Sequence, residues 1–211
     1  MQHTDMVVIL DFGSQFTQLI ARRVREAGVY SEIHPCNADF EAVKALKPGA
    51  LILSGGPASV YAEGSPALDP RYLKLGVPVL GICYGMQLLA HQLGGKVSAS
   101  KDREYGRTEF TADPRCPLFE GIEDKDRFTV WMSHGDKVQT LPKGFTVMGR
   151  TPTVEFAAMG SAKTKMFSLQ FHPEVAHTEN GALILSNFLF KVAGLKPAWS
   201  MASFVDSTIR E

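Results

Sequence analysis

The chain has 211 residues, with 22 Lys and Arg balancing 22 Asp and Glu, so its formal net charge is zero. One domain takes roughly 150 residues, and this length therefore fits a single domain with a short appendage. A neutral net charge gives no electrostatic case for a nucleic-acid or anionic-membrane partner, and we expect neither. The hydrophobic share of 45% is that of a globular protein and excludes disorder as the main state.

The number and spacing of the cysteines indicate which cysteine chemistry and which cellular location to expect. The three cysteines have no regular spacing, which predicts neither a disulfide framework nor a metal site built on paired cysteines. This usage favours a reducing, cytoplasmic location. The N-terminus has no basic region followed by a long apolar stretch, so we expect no signal peptide. The longest apolar runs reach about half of the ~20 residues that a membrane span needs.

The first hundred residues alternate short apolar runs with helical patterns, which is typical of repeated strand–helix units. Because the strands are continuous apolar runs, we expect an α/β fold with an open, mostly parallel sheet and helices on both faces. Ser14 is predicted to cap the first helix and Gly28 to stop it. The other helices are predicted at 40–46 and 84–93, and the strands at 6–10, 29–34, 50–53 and 77–82.

Residues 96–169 predict an antiparallel or mixed extension of the same sheet, because short strand patterns are joined there by turns. A long apolar helix follows at 180–192, and residues 194–197 break it. We therefore expect one domain over 1–194 and a linker-like segment over 195–211. Strands of the extension are predicted at 97–98, 107–111, 128–132, 146–148, 154–158 and 165–169.

Gly81-Ile82-Cys83-Tyr84-Gly85 lies where a predicted buried strand meets a predicted helix. This is the form of a nucleophile elbow, in which flanking glycines remove the clashes that would block a sharp turn. A cysteine at a helix N-terminus also gains support for its reactive thiolate. A lone cysteine is more often a small packed hydrophobe, but this setting favours Cys83 as a nucleophile.

A base for this cysteine is predicted 89 residues downstream, in Phe171-His172-Pro173-Glu174. Pro173 favours an extended backbone at His172, and residues two apart in an extended segment project the same way. Glu174 can then hold one ring nitrogen of His172 while the other faces Cys83. The motif follows a predicted strand, and active sites of open parallel sheets collect at the carboxyl ends of strands. Taken alone, the sequence His172-Pro173-Glu174 also fits an ordinary loop turn.

Ser54-Gly55-Gly56-Pro57 follows another predicted strand. Glycines there let backbone N–H groups point into a cavity. The N–H groups of Gly56 and Tyr84 are candidates for an oxyanion hole. An ordinary turn is the alternative for this motif taken by itself.

Together, GICYGMQ, SGGP and FHPE resemble the class I (triad) glutamine amidotransferase family over about residues 6–192. The resemblance implies a flavodoxin-like open sheet and hydrolysis of glutamine to glutamate and ammonia, through a thioester on Cys83 with His172 as base. It also implies substrate contacts at the amino-acid end of glutamine. These fall on Gln87, Ser133, His134, Gly135 and Asp136, with a positional role for His134 rather than that of a second base.

The stretch VWMSHGDKV, with REYG before it, resembles the branch of this family whose ammonia converts xanthosine monophosphate to GMP in purine biosynthesis. The resemblance implies a C–N ligase activity of the whole enzyme and a second, synthetase domain or subunit that holds ATP and magnesium. It implies no cofactor for the glutaminase domain itself, and a homodimer for the full-length enzyme. Here Ser54-Gly55-Gly56 runs into Pro57 without the aspartate of that domain's SGGxDS loop. We therefore expect either a piece of a longer protein or a separate subunit, and the segment from Trp199 favours the former.

Two other functions remain open from the sequence. The cysteine elbow with a downstream histidine also suits a γ-glutamyl hydrolase-type cysteine peptidase. A regulatory module with a vestigial site is a further alternative, against which the presence of all three triad residue types argues.

Overall fold

The computed structural model describes residues 5–123 and 127–200, without the side chains of 101–103. Its strands form one nine-stranded sheet in the order β2-β1-β3-β4-β9-β8-β7-β5-β6. In chain order, β1 to β9 are Met6–Asp11, Tyr30–Pro35, Ala50–Leu53, Val79–Ile82, Lys96–Ala112, Phe128–Thr140, Thr146–Arg150, Ala158–Ser161 and Met166–Leu169.

Among the described residues, four α-helices accompany the sheet: α1 Thr17–Glu26, α2 Phe40–Ala45, α3 Tyr84–Gln92 and α4 Gly181–Asn187. The predicted helix at 180–192 is therefore divided, because α4 passes into a π-helical turn at Phe188–Val192. Short 3₁₀ turns lie at Tyr72–Lys74 and Pro117–Phe119.

The start of α1 differs slightly from the prediction. The helix begins at Thr17, and Phe16 rather than Ser14 occupies the capping position. The Ser14 hydroxyl still accepts the N–H of Phe16 at 3.1 Å, so it satisfies a donor just ahead of the helix.

Strand directions confirm the predicted α/β architecture. Strands β2, β1, β3, β4 and β9 are parallel, and β8, β7, β5 and β6 extend the sheet antiparallel. In the pairing of β4 with β9, Ile82 lies opposite Leu169. The chain therefore leaves both strands at the same edge of the sheet, and the segments that follow meet there.

The core has a layer on each face of the sheet. In β1, Val7 and Ile9 pack with α1 and α4, whereas Val8 and Leu10 pack with α2 and α3. All four side chains are fully buried, and each such burial contributes roughly 1.5–3 kcal/mol. Burial on both faces explains the uninterrupted apolar sequence of the strand.

The extension of the sheet is where the predicted boundaries are wrong. The pieces at 97–98 and 107–111 belong to the single long strand β5, and β6 runs eight residues past the predicted end at 132. These two strands form an antiparallel ribbon with an irregularity between Ala99 and Glu104. Polar residues fill this part of β5 and hide the strand pattern.

The strand predicted at 154–158 is also wrong, since β8 begins only at Ala158. The N–H of Thr151 donates to the Val154 carbonyl at 2.9 Å, and the Thr151 hydroxyl accepts the Val154 N–H at 3.0 Å. Bends and turns over 151–156, with residues 152, 153 and 155 exposed, therefore occupy the place of the first half of the predicted strand. Val154 and Ala157 are core residues that do not belong to a strand.

The chain remains packed on the domain beyond residue 194. Leu195 is buried in the core, and the N–H of Trp199 donates to the Gly28 carbonyl at 2.8 Å. Residues 201–211 of the predicted linker-like segment lie outside the described residues, and the boundary at 194 stays a prediction. Within the described ranges, no helix has the length and apolar character needed to cross a membrane.

Candidate active site

Cys83 occupies a sharp turn between β4 and α3. Its backbone has φ 52° and ψ −105°, a conformation that costs a non-glycine residue about 1–3 kcal/mol. The Cys83 N–H donates to the Leu169 carbonyl at 2.8 Å, which ties the turn to β9. A Cβ atom on Gly81 would lie 2.7 Å from the Gly85 carbonyl oxygen, and one on Gly85 would lie 2.4 Å from that of Leu53. Both positions therefore require glycine, as expected for an elbow.

His172 follows β9 by three residues and is held from the neighbouring ribbon. Its N–H donates to the Trp131 carbonyl at 3.0 Å, and its carbonyl accepts the Thr178 hydroxyl at 2.6 Å. The imidazole packs edge-on against Phe16, with ring centroids 5.2 Å apart. These contacts fix the ring in a buried position facing Cys83.

Glu174 contacts the His172 ring, and its role in orienting that ring stays a prediction. Its Oε1 lies 2.7 Å from Nδ1 of His172, and the carboxylate is fully buried. Its Oε2 has no hydrogen-bond partner among the described residues. A buried carboxylate is costly unless it is paired, so the imidazole is its main compensation. Arg23 donates to the Glu174 backbone carbonyl at 3.1 Å and holds the turn.

The protonation of His172 is set by opposing effects. Burial lowers the pKa of the imidazole, but hydrogen bonds and charges from Cys83 and Glu174 outweigh it and raise the pKa to about 10. His172 therefore holds a proton at neutral pH when the sulfur is a thiolate. The three side chains can form a thiolate–imidazolium–carboxylate array.

The glycine loop after β3 lies against this array. A Cβ atom on Gly55 would lie 3.0 Å from Cε1 of His172, and one on Gly56 would lie 2.6 Å from the Phe12 carbonyl oxygen. The Ser54 hydroxyl accepts the Phe12 N–H at 2.9 Å and fixes the loop. A side chain at 55 would crowd the histidine ring, and one at 56 would collide with the Phe12 main chain.

The first turn of α3 supplies further backbone donors. Tyr84 is its first residue, and the first N–H groups of a helix have no acceptor within the helix. The Gly85 N–H is used, because it donates to the Ser54 carbonyl at 3.1 Å. The Tyr84 ring points away, and its hydroxyl donates to the Pro66 carbonyl.

A cavity of about 720 Å³ opens over the cysteine and brings most of the predicted site residues together. The cavity is deep enough to take a small molecule. Tyr84, whose predicted role uses only its backbone, is not among the residues that line it. The predicted residues in its wall are Gly56, Cys83, Gln87, Ser133, His134, Gly135, Asp136 and His172.

Four of the five predicted substrate-binding residues lie on one strand. Residues 133–136 belong to β6, where buried and half-buried side chains alternate. Gln87 reaches them from α3, and its Nε2 donates to the Asp136 carbonyl at 3.0 Å. Nδ1 of His134 also lies 2.8 Å from that carbonyl. Their roles toward a substrate stay predictions.

Four residues near the cavity escaped the sequence analysis. Glu104 accepts hydrogen bonds from the hydroxyls of Thr151 and Thr153, and its Oε2 lies 3.5 Å from Nε2 of His134. The other three are Gln170, Arg23 and Tyr61. The Nε2 of Gln170 lies 3.8 Å from Cys83 Sγ, and Arg23 donates to the Glu174 carbonyl. The Tyr61 hydroxyl donates to the Asp136 carboxylate at 2.8 Å. Two of them lie beside motifs named above: Gln170 is two residues before His172 at the end of a strand, and Glu104 belongs to the stretch REYG.

No described residues form a cluster of three or more His, Cys, Asp or Glu placed to hold a metal ion. The other two cysteines lie outside the cavity. Burial raises the pKa of the Cys116 thiol to about 12, which makes it unreactive, and burial also raises the pKa of Cys36.

Comparison with known proteins agrees with this geometry. The class-I glutamine amidotransferase family matches residues 8–192. The chain is 65% identical to a glutamine-hydrolyzing GMP synthase from Maridesulfovibrio salexigens over 211 residues, which are 100% of the chain and 41% of that protein. It is 54% identical to the one from Thermomicrobium roseum, covering 98% of the chain and 38% of the relative. The chain thus spans about 41% of the length of its curated relatives.

Solved structures share the fold. A protein from Thermoplasma acidophilum, described as a putative GMP synthase subunit, matches with a TM-score of 0.75 and 27% identity, and the match covers 99% of both chains. A glutamine amidotransferase from Thermotoga maritima matches with a TM-score of 0.69 and 20% identity, over 90% of this chain and 99% of that one. At 20% identity the second match shows the fold alone.

Proposed function

The chain belongs to the class-I glutamine amidotransferase family, and we propose that it hydrolyses glutamine to glutamate and ammonia. The observation that carries this proposal is the buried array of Cys83, His172 and Glu174, in which Cys83 and His172 line the cavity and Glu174 lies behind His172. A strained nucleophile, a protonated imidazole and a buried carboxylate are the parts that acyl transfer from an amide requires.

In the proposed acylation step, the Cys83 thiolate attacks the side-chain amide carbon of glutamine. The carbonyl oxygen becomes an oxyanion, which accepts hydrogen bonds from the Gly56 and Tyr84 N–H groups. His172 gives its proton to the amide nitrogen, the carbon–nitrogen bond breaks, and ammonia leaves. A γ-glutamyl thioester and a neutral imidazole remain.

In the proposed deacylation step, His172 takes a proton from water as the water oxygen adds to the thioester carbon. The same backbone donors hold the second oxyanion. The carbon–sulfur bond then breaks, glutamate leaves, and the sulfur returns as a thiolate beside the imidazolium. Glu174 keeps the ring in one orientation through both steps.

The amino-acid end of glutamine is proposed to lie against Gln87 and residues 133–136. The Nε2 of Gln87 already donates to the Asp136 carbonyl at 3.0 Å and to Oε1 of Gln170 at 3.3 Å. Its Oε1 is therefore the atom left to accept a donor from the substrate, such as the α-ammonium group. His134 faces Glu104 at 3.5 Å, which supports a positional role for it.

We further infer that the ammonia aminates xanthosine monophosphate to GMP. The relatives' names and the share of their length that this chain spans support this inference. The ATP and magnesium sites would then lie on a synthetase domain or subunit, which is the proposed partner. A homodimer of the whole enzyme and a cytoplasmic location complete the proposal. The glutaminase step itself needs no cofactor in this scheme.

The decisive test of the glutaminase proposal is Cys83→Ala, with Cys36→Ala as the matched control. The alanine at 83 removes the attacking atom, so glutamate release should fall to background, at least 10³-fold, in a coupled glutamate dehydrogenase assay. The control should keep the wild-type rate. Glutamate release that survives in Cys83→Ala refutes the mechanism, and cleavage of γ-glutamyl peptides in preference to glutamine would favour the peptidase alternative.

A further inference from the structure

Gln170 is a buried polar residue at the carboxyl end of β9, and the mechanism above gives it no role. Its side chain is fully buried, and its N–H donates to the Ala157 carbonyl at 2.8 Å. Its amide lies between the sulfur of Cys83 and the amide of Gln87. A buried amide here needs partners for both its oxygen and its nitrogen.

The hydrogen-bond pattern fixes which end of the Gln170 amide faces the sulfur. The Asp136 carbonyl can only accept, so the atom of Gln87 that lies 3.0 Å from it is the donating Nε2. That Nε2 also donates to Oε1 of Gln170 at 3.3 Å. The remaining end of Gln170, its Nε2, therefore points to Sγ of Cys83 at 3.8 Å. Each amide orients the next, from the ribbon to the nucleophile.

The sulfur has an acceptor on another side. Sγ of Cys83 lies 3.5 Å from the Ser133 carbonyl, to which the neutral thiol donates. When the proton leaves, that contact becomes a repulsion between the carbonyl dipole and the thiolate. A donor facing the sulfur offsets this repulsion and favours the charged form.

We propose that Gln170 is a further catalytic residue, which donates a hydrogen bond from Nε2 to the Cys83 thiolate and is held in that orientation by Gln87. Together with His172, it shifts the sulfur toward its reactive form. The same bond acts on the thiolate that leaves when water cleaves the thioester. The inference rests on the proposed role of Cys83 as the nucleophile.

The test replaces Gln170 with Met, which fills a similar volume without a donor, in the full 211-residue chain. The fraction of thiolate is followed by absorbance at 240 nm against pH, and the rate of alkylation by iodoacetamide is measured over the same range. We expect the midpoint of thiolate formation to rise by about one pH unit, so that alkylation at neutral pH slows about tenfold. The kcat for glutamine should fall more than KM changes.

Gln92→Met is the matched control, because Gln92 is a half-buried glutamine of α3 that donates to the Leu68 carbonyl, away from the sulfur. It should keep the wild-type midpoint and alkylation rate. Gln170→Leu provides a second donor-free variant if the Met variant does not unfold cooperatively. A midpoint and an alkylation rate equal to those of the control would overturn the proposal. The midpoint and the alkylation rate are measured without glutamine, so this failure is distinct from a failure of the glutaminase function.

Discussion

On one side of the cavity, Cys83 and His172 lie on turns that neighbouring strands hold through backbone hydrogen bonds. On the other side, residues 133–136 lie within the paired strands of the β5–β6 ribbon, where side chains such as Glu104 and Tyr61 add further hydrogen bonds. We call these the elbow side and the ribbon side. The elbow side is built from close glycine contacts and main-chain hydrogen bonds, so an added side-chain atom there would collide with backbone. The ribbon side has hydrogen bonds between side chains in addition to its strand pairing, and a substitution can weaken these bonds without displacing the strand.

This difference suggests that the elbow side carries out the chemistry and the ribbon side sets the affinity for the substrate. A fixed backbone suits groups that must meet the reacting atoms within a few tenths of an ångström. A strand adjusted by side chains suits contacts that set affinity. Substitutions on the elbow side should therefore reduce kcat or folding, whereas those behind the ribbon side should change mainly KM.

The largest effect is expected for Gly85→Ala. The added Cβ would meet the Leu53 carbonyl oxygen at 2.4 Å, and a main-chain atom of a central strand cannot move aside. We expect the free energy of unfolding to fall by about 3 kcal/mol and glutamine hydrolysis to be lost. Urea unfolding followed by circular dichroism measures the first effect, and glutamate release the second.

Gly106→Ala on the ribbon side is the matched comparison. This glycine has φ +97° but open space where a Cβ would lie, so only backbone strain of about 1 kcal/mol is expected. Equal losses of stability in the two variants would show that the elbow has no special packing constraint.

A smaller, pH-dependent effect is expected for Glu174→Gln. The pKa of His172 is raised to about 10, partly by Glu174, and lies above the value near 6.5 of an unfolded histidine. Its contribution to stability is therefore fully present below about pH 6.5 and is lost as the pH rises through about 10. The amide removes part of this shift, so the loss of stability should move to lower pH.

Urea unfolding between pH 6 and 10.5 checks this expectation, and Glu155→Gln, a change at an exposed carboxylate, is the control. The control should follow the wild-type curve. If Glu174→Gln follows it too, Glu174 does not set the protonation of His172, and the proposed array loses its orienting carboxylate.

The contrast between the two sides also explains what the sequence could reveal. Cys83, His172 and the 54–57 loop carried local signals, because glycines and a proline impose a backbone shape that sequence shows directly. The parallel strands were equally visible, since burial on both faces makes them continuous apolar runs. The strand at 50–53 was predicted with the boundaries that the structure has.

The ribbon side was harder to predict because its signals are not local. The polar residues between 99 and 104 do not alternate like a half-buried strand. The residues that flank them pair with distant parts of β6, Ala99 with Asp136 and Glu104 with His134. The hydrogen bonds from Thr151 and Thr153 to Glu104 join segments 47 and 49 residues apart. Only the folded chain shows such partners.

The smallest expected effect, and the sharpest test of the comparison, is Glu104→Gln. The amide keeps the shape of the side chain and an oxygen for the hydroxyls of Thr151 and Thr153, but it removes the negative charge 3.5 Å from His134. If the ribbon sets affinity, the KM for glutamine should rise about threefold to tenfold, the result of losing roughly 1 kcal/mol of binding, while kcat is retained. Glu109→Gln, at an exposed carboxylate farther along β5, should leave both constants unchanged. A fall in kcat with KM constant would mean that the pair of Glu104 and His134 acts on the chemistry, and the proposed division between the two sides would be wrong.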